Sequence, residues 1–255
     1  MARVFITGST QGLGRASASA LLEGGHEVVL HARSPSRAAS IGDLAKRASG
    51  VVIGDLASAR ETHDVAEQVN ALGRMDTVIH NAGIYIDAQL VPTSDGHAPT
   101  LAVNVLGPYA LTAEIERPAR LVYISSGMHR GGDPSLRDID WASRRWRGEQ
   151  AYSDSKLFVA ALAFLVSRRW PDVCSNVVDP GWVPTRMGGP GAPDDLELGH
   201  TTQVWLAVSD EPAATASGGY WYHGRRQTPA AAVSDVGFQD ALLDQLSRLT
   251  GVTLP

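Results

Sequence analysis

Residues 3–14 read RVFITGSTQGLG, a short apolar run that leads into a turn with three glycines. The run predicts a buried first strand, and residues 15–23 predict a helix directly after the turn. Bare glycine backbone in that position lets a pyrophosphate approach, and the helix N-terminus favours its negative charge. A glycine turn alone also occurs as plain punctuation between a strand and a helix. Its place at the first strand–helix turn of the chain favours a dinucleotide site.

Short β-branched runs alternate with longer helical runs along the rest of the chain. This alternation predicts a Rossmann-type, doubly wound, mostly parallel α/β sheet of seven strands with helices on both faces. We interpret residues 1–255 as a single nucleotide-binding domain. The further strands are predicted at 27–31, 51–54, 77–80, 120–125, 173–178 and 219–223. The further helices are predicted at about 37–47, 59–72, 96–116 (kinked at Pro108), from 152 onward, 196–209 and 238–249.

The composition is that of a globular protein with a sizeable core, with 44% hydrophobic and 19% charged residues among 255. A net charge of -5 argues against nucleic acid and anionic membranes as partners. The single cysteine, Cys174, has no disulfide partner, and the eight histidines show no metal-site spacing. The longest apolar run, 157–166, is too short to span a bilayer. These features predict a cytoplasmic protein with no metal.

The residues after the second predicted strand indicate which dinucleotide is bound. An NAD site places a carboxylate there for the ribose hydroxyls, whereas an NADP site prefers an arginine for the 2′-phosphate. The sequence is LHARS at 30–34, with Arg33 in that place and no acid. A guanidinium matches a phosphate in charge and in fork geometry, although a solvated surface arginine is the alternative. We predict NADP(H) in preference to NAD(H).

Tyr152 and Lys156 are spaced one helical turn apart at the start of a long apolar run. A phenol has an ordinary pKa of about 10, and a neighbouring ammonium lowers that pKa toward useful acid–base chemistry. An exposed tyrosine and lysine on a helix surface are the alternative interpretation. The run that follows, LFVAALAFLV, is apolar most of the way round a helix, which suits core burial plus a subunit interface. A homodimer, a homotetramer and a monomer all stay open.

Eight short motifs in this order resemble the short-chain dehydrogenase/reductase family over nearly the whole chain. They are TGSTQGLG at 7–14, HAR at 31–33, GDL at 54–56, NAG at 81–83, Asn104 within LAVNVLGPYALT, ISS at 124–126, YSDSK at 152–156 and PGWVPT at 180–185. The resemblance implies a Rossmann fold and oxidoreductase activity on an alcohol or carbonyl group. It also implies a cofactor site built from Gly8, Ser9, Thr10, Gln11, Gly12, Leu13, Gly14, Arg33, Asp55, Leu56, Asn81, Ala82, Gly83, Tyr152, Lys156, Pro180, Gly181, Val183 and Thr185.

The resemblance further implies a catalytic tetrad. Tyr152 would exchange a proton with the substrate oxygen, and Ser126 would hydrogen-bond the same oxygen. Lys156 would hold the nicotinamide ribose and lower the Tyr152 pKa, while Asn104 would position a water for proton return. The family pattern assigns the catalytic role to Ser126 and leaves Ser125 structural.

The interval from Ser126 to Tyr152 is about twice as long as in compact family members, and it resembles the retinol-dehydrogenase-like branch. Segments at about 84–95, 127–150 and 182–195 are interpreted as substrate loops, since long ordered loops are usually functional. A solvent loop of no consequence, or a set of packing residues, is the alternative for 127–150. The candidate substrate residues are Tyr85, Met128, Trp141, Trp146, Trp182 and Met187.

The sequence therefore predicts an NADPH-dependent carbonyl reductase, reversible as an alcohol dehydrogenase, for a hydrophobic and aromatic or polyketide-like ketone. A retinol- or steroid-type alcohol dehydrogenase is the alternative. A non-catalytic NADP-binding sensor would be expected to lack members of the tetrad. A nucleotide-sugar epimerase or dehydratase would need a longer substrate domain.

Overall fold

One eight-stranded sheet spans the computed structural model, which describes residues 1–86 and 88–255. The strands are β1 (Arg3–Ile6), β2 (Glu27–Ala32), β3 (Gly50–Ile53), β4 (Thr77–His80), β5 (Arg120–Ile124), β6 (Cys174–Asp179), β7 (Tyr220–Tyr222) and β8 (Arg225–Gln227). Their order in the sheet is β3-β2-β1-β4-β5-β6-β7-β8, and every neighbouring pair is parallel except β7 and β8. The predicted doubly wound α/β architecture is confirmed.

Helices connect the parallel strands on both sides of the sheet, as crossover connections require. The α-helices are α1 (Gly12–Glu23), α2 (Pro35–Ala39), α3 (Asp43–Arg47), α4 (Ala59–Ala71), α5 (Pro99–Leu101), α6 (Gly107–Glu114), α7 (Gly148–Arg169), α8 (Leu196–Val208), α9 (Pro212–Thr215) and α10 (Val236–Thr250). A π-helical segment covers Ala102–Leu106, and 3₁₀ helices cover Gly127–Gly131 and Ala231–Ser234.

Alternating side chains on each strand supply two separate cores, one on each face of the sheet. In β1, Val4 and Ile6 join the core that contains Leu21 of α1 and Leu206 of α8. Phe5, between them, points into the opposite core with residues of α4, α7 and α10. Both faces are therefore sealed by helices, and the apolar run RVFI reflects a strand that is buried on both sides.

The helix predicted at 96–116 begins later than predicted and is not a regular α-helix throughout. The helical segment begins at Pro99, and five residues around Asn104 form a π-helix whose end is marked by a bond from Gly107 N–H to the Ala102 carbonyl. Pro108 follows at once, and it has no N–H to give to the carbonyl four residues earlier. The irregularity lies in the turn before the proline, where π-turns often accompany functional residues.

Two other boundaries also differ from prediction. The helix predicted at 37–47 is two short helices, α2 and α3, because Gly42 between them adopts a left-handed φ of +67°. The sheet has an eighth strand, β8, which pairs antiparallel with β7 through a turn at Gly224. Its residues are exposed arginines and a glutamine, so the apolar pattern that predicts a strand is missing there.

The long helix α7 is buried by its own chain. It packs on β5 and β6 on one side and on α10 and the 3₁₀ helix 231–234 on the other. Burial within one chain accounts for its apolar surface, so that surface is no reason to expect a subunit interface. No helix within residues 1–86 and 88–255 has the length and apolar character needed to cross a bilayer.

Candidate active site

The turn after β1 leaves the N-terminus of α1 open at the carboxyl edge of the sheet. Residues 11–15 show no capping side chain and no acidic residue in the first helical turn, so backbone N–H groups there are available to an anion. A Cβ at Gly12 would lie 3.4 Å from the Thr185 methyl, so the loop after β6 faces this turn. This arrangement fits a dinucleotide pyrophosphate, with Ser9, Thr10 and Leu13 contributing the rest of the turn.

A buried histidine, His31, holds the glycine turn against β2 and β3. The Gly8 N–H donates to its Nδ1 at 2.9 Å, so the ring proton lies on Nε2 and is donated to the Gly54 carbonyl at 2.8 Å. The His31 N–H also donates to the Ser9 hydroxyl at 2.8 Å. Burial lowers the pKa of His31, so the ring stays neutral and keeps this tautomer.

The NAG segment after β4 closes the other side of the turn. Asn81 Nδ2 donates to the Thr7 carbonyl at 2.9 Å, and the Ala82 N–H donates to the Thr7 hydroxyl at 2.9 Å. Gly83 faces two of the predicted catalytic residues, since a Cβ there would lie 3.3 Å from Lys156 Nζ and 3.5 Å from Asn104 Oδ1. The structure thus brings the first and fourth strand ends together, as the motif order predicts.

The remaining predicted cofactor residues lie on the same edge. Asp55 is half-buried after β3, where its Oδ1 accepts from the Ala57 N–H at 3.0 Å, and Leu56 is buried beside it. Pro180 and Val183 are buried in the loop after β6, Gly181 adopts a φ of +79°, and the Thr185 hydroxyl accepts from Gly188 N–H at 3.2 Å.

Two arginines follow β2, and one of them contacts the glycine turn. Arg33 is exposed directly after β2. Arg37 in α2 donates through Nη1 to Gln11 Oε1 at 3.4 Å, which ties it to the turn itself. The sequence prediction names Arg33 alone. The spacing of Arg37 on a short helix after β2 is the signal that could have found the second arginine.

Tyr152 and Lys156 lie one turn apart on α7, with Lys156 Nζ 5.5 Å from the centre of the Tyr152 ring. Lys156 is 3% exposed and donates to the Ile124 carbonyl at the end of β5 at 2.9 Å. Ser126, next to that edge, lies beside the Tyr152 phenol, and its hydroxyl accepts from the Met128 N–H at 3.2 Å. The hydroxyl of the neighbouring Ser125 donates instead to the Lys156 carbonyl at 2.8 Å.

The acidities of this pair differ from the sequence expectation. Burial, with the Asp179 carboxylate as a second cause, raises the pKa of Tyr152 to about 12, whereas the neighbouring Ser126 hydroxyl acts in the opposite direction. Burial lowers the pKa of Lys156 to about 8, and Asp179 opposes that change. The predicted lowering of the phenol pKa by Lys156 is therefore outweighed here, because desolvation disfavours the phenolate.

Asn104 holds backbone on two sides of the site. Its Oδ1 accepts from the Ile84 N–H at 2.8 Å, and its Nδ2 donates to the Ile84 carbonyl and to the Ser155 hydroxyl, each at 3.0 Å. Ser155 in turn donates to the Tyr152 carbonyl at 2.7 Å. The asparagine thus fixes the segment after β4 against α7. The role predicted for it in holding a water stays a prediction.

Large apolar side chains surround the Tyr152 phenol. The Tyr85 ring stands edge-on to the Tyr152 ring at 5.3 Å, and Met187 Sδ lies 3.9 Å from the Tyr152 hydroxyl. Tyr85, Met187 and Trp182 are exposed by 38%, 49% and 61%, and the Trp182 indole N–H donates to the Gly188 carbonyl at 2.8 Å. Met128, half-buried, lies two residues after Ser126. We call Tyr85, Trp182 and Met187 the apolar rim. Residue 87, within the predicted loop 84–95, lies outside the described residues.

Trp141 and Trp146 are corrected from substrate residues to packing residues. Their rings stack edge-to-face at 5.4 Å, and Trp141 is 5% exposed. Trp141 lines a small cavity with Ala151 and Phe158, on a different face of α7 from Tyr152 and Lys156. Much of the 127–150 segment therefore packs on the domain, whereas Met128 contacts Ser126 through its N–H.

The family model described as short chain dehydrogenase matches residues 2–134, which is more than half of the chain. A short-chain dehydrogenase of Gibberella zeae is 37% identical over 258 residues, covering 100% of this chain and 99% of the relative. This chain is a short-chain dehydrogenase. As a member of that family it is an oxidoreductase that uses a nicotinamide cofactor on carbonyl or alcohol groups.

Other relatives place the dehydrogenase within the family. A Streptomyces sp. protein named as a daunorubicin C-13 ketoreductase is 32% identical, covering 98% of this chain and 93% of the relative. Human retinol dehydrogenase 13 is 27% identical, covering 99% and 85%. The predicted resemblance to the retinol-dehydrogenase-like branch is confirmed. A crystal structure of a Mycobacterium paratuberculosis protein superposes with a TM-score of 0.84 at 27% identity, covering 100% and 95%.

Two residues of the dehydrogenase that lie against the site were absent from the sequence prediction. His31 falls within the quoted HAR motif, and Asp179 immediately precedes PGWVPT. Both are buried, polar and hydrogen-bonded to residues distant in sequence. A histidine or an aspartate at the end of an otherwise apolar strand is the signal that could have drawn attention to them.

Proposed function

We propose that this dehydrogenase is an NADPH-dependent carbonyl reductase, reversible as an alcohol dehydrogenase, that acts on a hydrophobic, aromatic or polyketide-like ketone. The observation that carries the proposal is the half-buried Tyr152 phenol. Ser126 lies beside it, and Lys156 is one turn away on the same helix. An acid of this kind at the carboxyl edge of a dinucleotide-binding sheet is suited to protonating a carbonyl oxygen.

The chain's own residues divide the work of reduction. When bound, the nicotinamide supplies a hydride to the carbonyl carbon. Tyr152 donates its phenolic proton to the carbonyl oxygen, and Ser126 donates a hydrogen bond to the same oxygen as negative charge develops. Lys156 would hold the nicotinamide ribose by a hydrogen bond. Asn104 keeps Ile84 and α7 at a fixed separation.

Near neutral pH, Tyr152 carries the proton that reduction requires. A phenol with a pKa of about 12 is almost wholly protonated at pH 7, which is the form that reduction consumes. A retinol- or steroid-type alcohol dehydrogenase is the second candidate, supported by the similarity to retinol dehydrogenase 13. That direction needs the phenolate, so its rate should rise with pH.

The apolar rim supports a hydrophobic ketone. Tyr85 and Met187 both touch the Tyr152 phenol, and Trp182, 61% exposed, is hydrogen-bonded to Gly188, the residue after Met187. Exposed aromatic surface of this size commonly marks a ligand site. The relative named as a daunorubicin C-13 ketoreductase supports a ketone as the substrate.

Tyr152→Phe tests the proton-donor role. We expect turnover of an aromatic ketone, followed by NADPH absorbance, to fall by at least about 100-fold, because general acid catalysis contributes about that much. NADPH affinity, followed by fluorescence, should stay nearly unchanged. Tyr109→Phe is the matched control, since that buried phenol donates to the Val252 carbonyl at 2.9 Å and lies outside the site. Retained turnover in Tyr152→Phe would overturn the mechanism.

Arg33→Ala tests the cofactor assignment. Loss of a guanidinium from the 2′-phosphate should weaken NADPH by about 1.5–3 kcal/mol and leave NADH nearly unchanged. Arg37→Ala should show a smaller selective loss, whereas Arg47→Ala on α3 should show none. Equal weakening of NADPH and NADH in Arg33→Ala would refute the 2′-phosphate assignment.

A panel of carbonyl compounds tests the substrate class. Bulky aromatic ketones should give higher kcat/KM than short aliphatic ketones, and Trp182→Ala should reduce this preference by raising KM for the aromatic members. A panel in which small polar carbonyl compounds are preferred would contradict the hydrophobic assignment.

A further inference from the structure

Asp179, the last residue of β6, begins a buried hydrogen-bond chain beneath the site. Its Oδ1 accepts from the Gly181 N–H at 3.0 Å, and its Oδ2 accepts from the Tyr220 hydroxyl at 3.2 Å. Asp179 is 9% exposed and Tyr220 is 2% exposed. A carboxylate buried in this way is costly unless other groups in the fold make use of its charge.

His129 extends this chain to the catalytic serine, and its tautomer is determined by its neighbours. Nε2 accepts from the Ala230 N–H at 3.0 Å, so the proton of the neutral ring lies on Nδ1. Nδ1–H then donates to the Ser126 carbonyl at 2.8 Å and also lies 3.1 Å from the Tyr220 oxygen. The Tyr220 hydroxyl cannot donate to a nitrogen that already carries a proton, so its proton goes to Asp179.

The chain therefore holds the peptide that carries Ser126. Asp179 orients Tyr220. The His129 Nδ1 proton is shared between the Tyr220 hydroxyl oxygen and the Ser126 carbonyl, and Ser126 caps the 3₁₀ helix that includes Met128. The carboxylate also lies close beneath that peptide, because a Cβ at Gly127 would be 3.2 Å from Asp179 Oδ2.

The same carboxylate lies near Tyr152 and Lys156, because Lys156 Nζ donates to the carbonyl of Ile124, and Ile124 is paired in the sheet with Val178, the residue before Asp179. It opposes the burial that lowers the pKa of Lys156, and it adds to the burial that raises the pKa of Tyr152. The titratable and charged groups around this region are Tyr152 and Lys156 from α7, His129 and Arg130 from the 3₁₀ helix 127–131, Tyr220 and Tyr222 from β7, His223 after β7, and Asp194 after β6. Lys156 is the buried cation of this set.

We propose that Asp179 is a positioning residue for the proposed carbonyl reduction, with two effects. Through Tyr220 and His129 it fixes the Ser126 peptide, and through its charge it keeps the buried Lys156 as an ammonium. The second effect matters because only the charged form of Lys156 provides a cation at the ribose and beside the phenol. The proposal rests on the proposed function for its catalytic consequence, but its electrostatic part can be measured without any substrate.

The chain contains two lysines, Lys46 and Lys156, which makes the charge measurable directly. With ¹³C-labelled lysine, NMR titration of the full chain, with and without NADPH, gives one ε-carbon signal for each lysine. In Asp179→Asn, which keeps an acceptor for Gly181 N–H and removes the charge, the Lys156 inflection should move to lower pH by about one unit. Lys46, exposed in an ion pair with Asp43, is the internal control and should not move. If the Lys156 inflection does not move, the charge effect is refuted. Asp179→Ser is a second charge-removing variant, to be used if Asp179→Asn does not fold.

Tyr220→Phe separates the positioning effect from the charge effect. It breaks the link from Asp179 to His129 and leaves the carboxylate in place. Reduction kcat should fall about tenfold with little change in KM, while the Lys156 inflection stays where it is in the unaltered chain. An unchanged kcat overturns the positioning effect. If no carbonyl compound is reduced by the unaltered chain, the proposed function fails while the lysine titrations still decide the charge effect.

Discussion

Replacing Arg144 with methionine should loosen the 127–150 segment from the helix that carries Tyr152. Arg144 Nη2 donates to Asp154 Oδ2 at 2.9 Å, and the guanidinium lies 3.5 Å above the Trp141 ring. Asp154 also accepts at Oδ1 from Asp133 N–H and from Gln150 Nε2, each at 2.8 Å. The Asp154 side chain is 3% exposed, so the hydrogen bonds from Arg144 and Asp133 hold the segment at two points to a buried carboxylate.

The magnitude follows from the burial of the two partners. Removing one partner of a buried ion pair costs about 3–5 kcal/mol, because the other charge is left uncompensated. Arg144 is 29% exposed, so water can reach the place it leaves, and Asp154 keeps two other donors. We therefore expect the free energy of unfolding to fall by about 2 kcal/mol in Arg144→Met, a change that retains an apolar contact with Trp141.

Urea unfolding of the cofactor-free chain measures this effect, since urea is uncharged and does not screen the pair. Arg145→Met is the matched control, because Arg145 is the exposed next residue, and its change should stay within about 0.5 kcal/mol. A double-mutant cycle with Asp154→Asn should give a coupling energy of at least about 1 kcal/mol. A coupling energy near zero, or equal losses in Arg144→Met and Arg145→Met, would refute the assignment of the segment to packing.

Two further predictions concern the lysine and the glycine turn. Lys156→Met should raise the free energy of unfolding by about 2 kcal/mol at pH 7 while abolishing turnover. Lowering a lysine pKa from 10.5 to about 8 costs about 3 kcal/mol, and the lost bond to the Ile124 carbonyl offsets about 1 kcal/mol. Between pH 8 and 10.5 the unfolded chain binds more protons at this site than the folded chain. The free energy of unfolding of the unaltered chain should therefore rise with pH toward that of Lys156→Met. Urea titrations in which the difference between the two chains does not shrink as pH rises would contradict the buried-cation assignment. Gly14→Ala should lower NADPH affinity at least about tenfold and destabilise the fold by about 1–3 kcal/mol, because a Cβ there would lie 2.4 Å from Asn81 Nδ2 and 2.6 Å from the Gly8 carbonyl. Gly131→Ala, with open space within 4 Å in the described part of the chain, is the control, and equal effects in both variants would contradict this account.

The sequence by itself determined the fold class and the edge at which the candidate site lies. Both depend on local patterns: the alternation of strands and helices, and short motifs placed directly after strands. Because the carboxyl ends of parallel strands share one edge of the sheet, the order of Gly12, Asn81, Ser126 and Thr185 in the chain already implied that they would meet. The spacing of Tyr152 and Lys156 likewise follows from the helix repeat alone.

Only the tertiary structure decided which groups surround these residues. The acidity of Tyr152 depends on its burial and on Asp179, and desolvation arises only when distant segments pack together. The ring protons of His31 and His129 are placed by partners at Gly54 and Ala230, far away in the chain. Trp141 gave the same apolar signal as Met187 in the sequence, yet packing put one against α7 and the other at the phenol. A residue type specifies what a side chain can bind, whereas the folded chain determines what it meets.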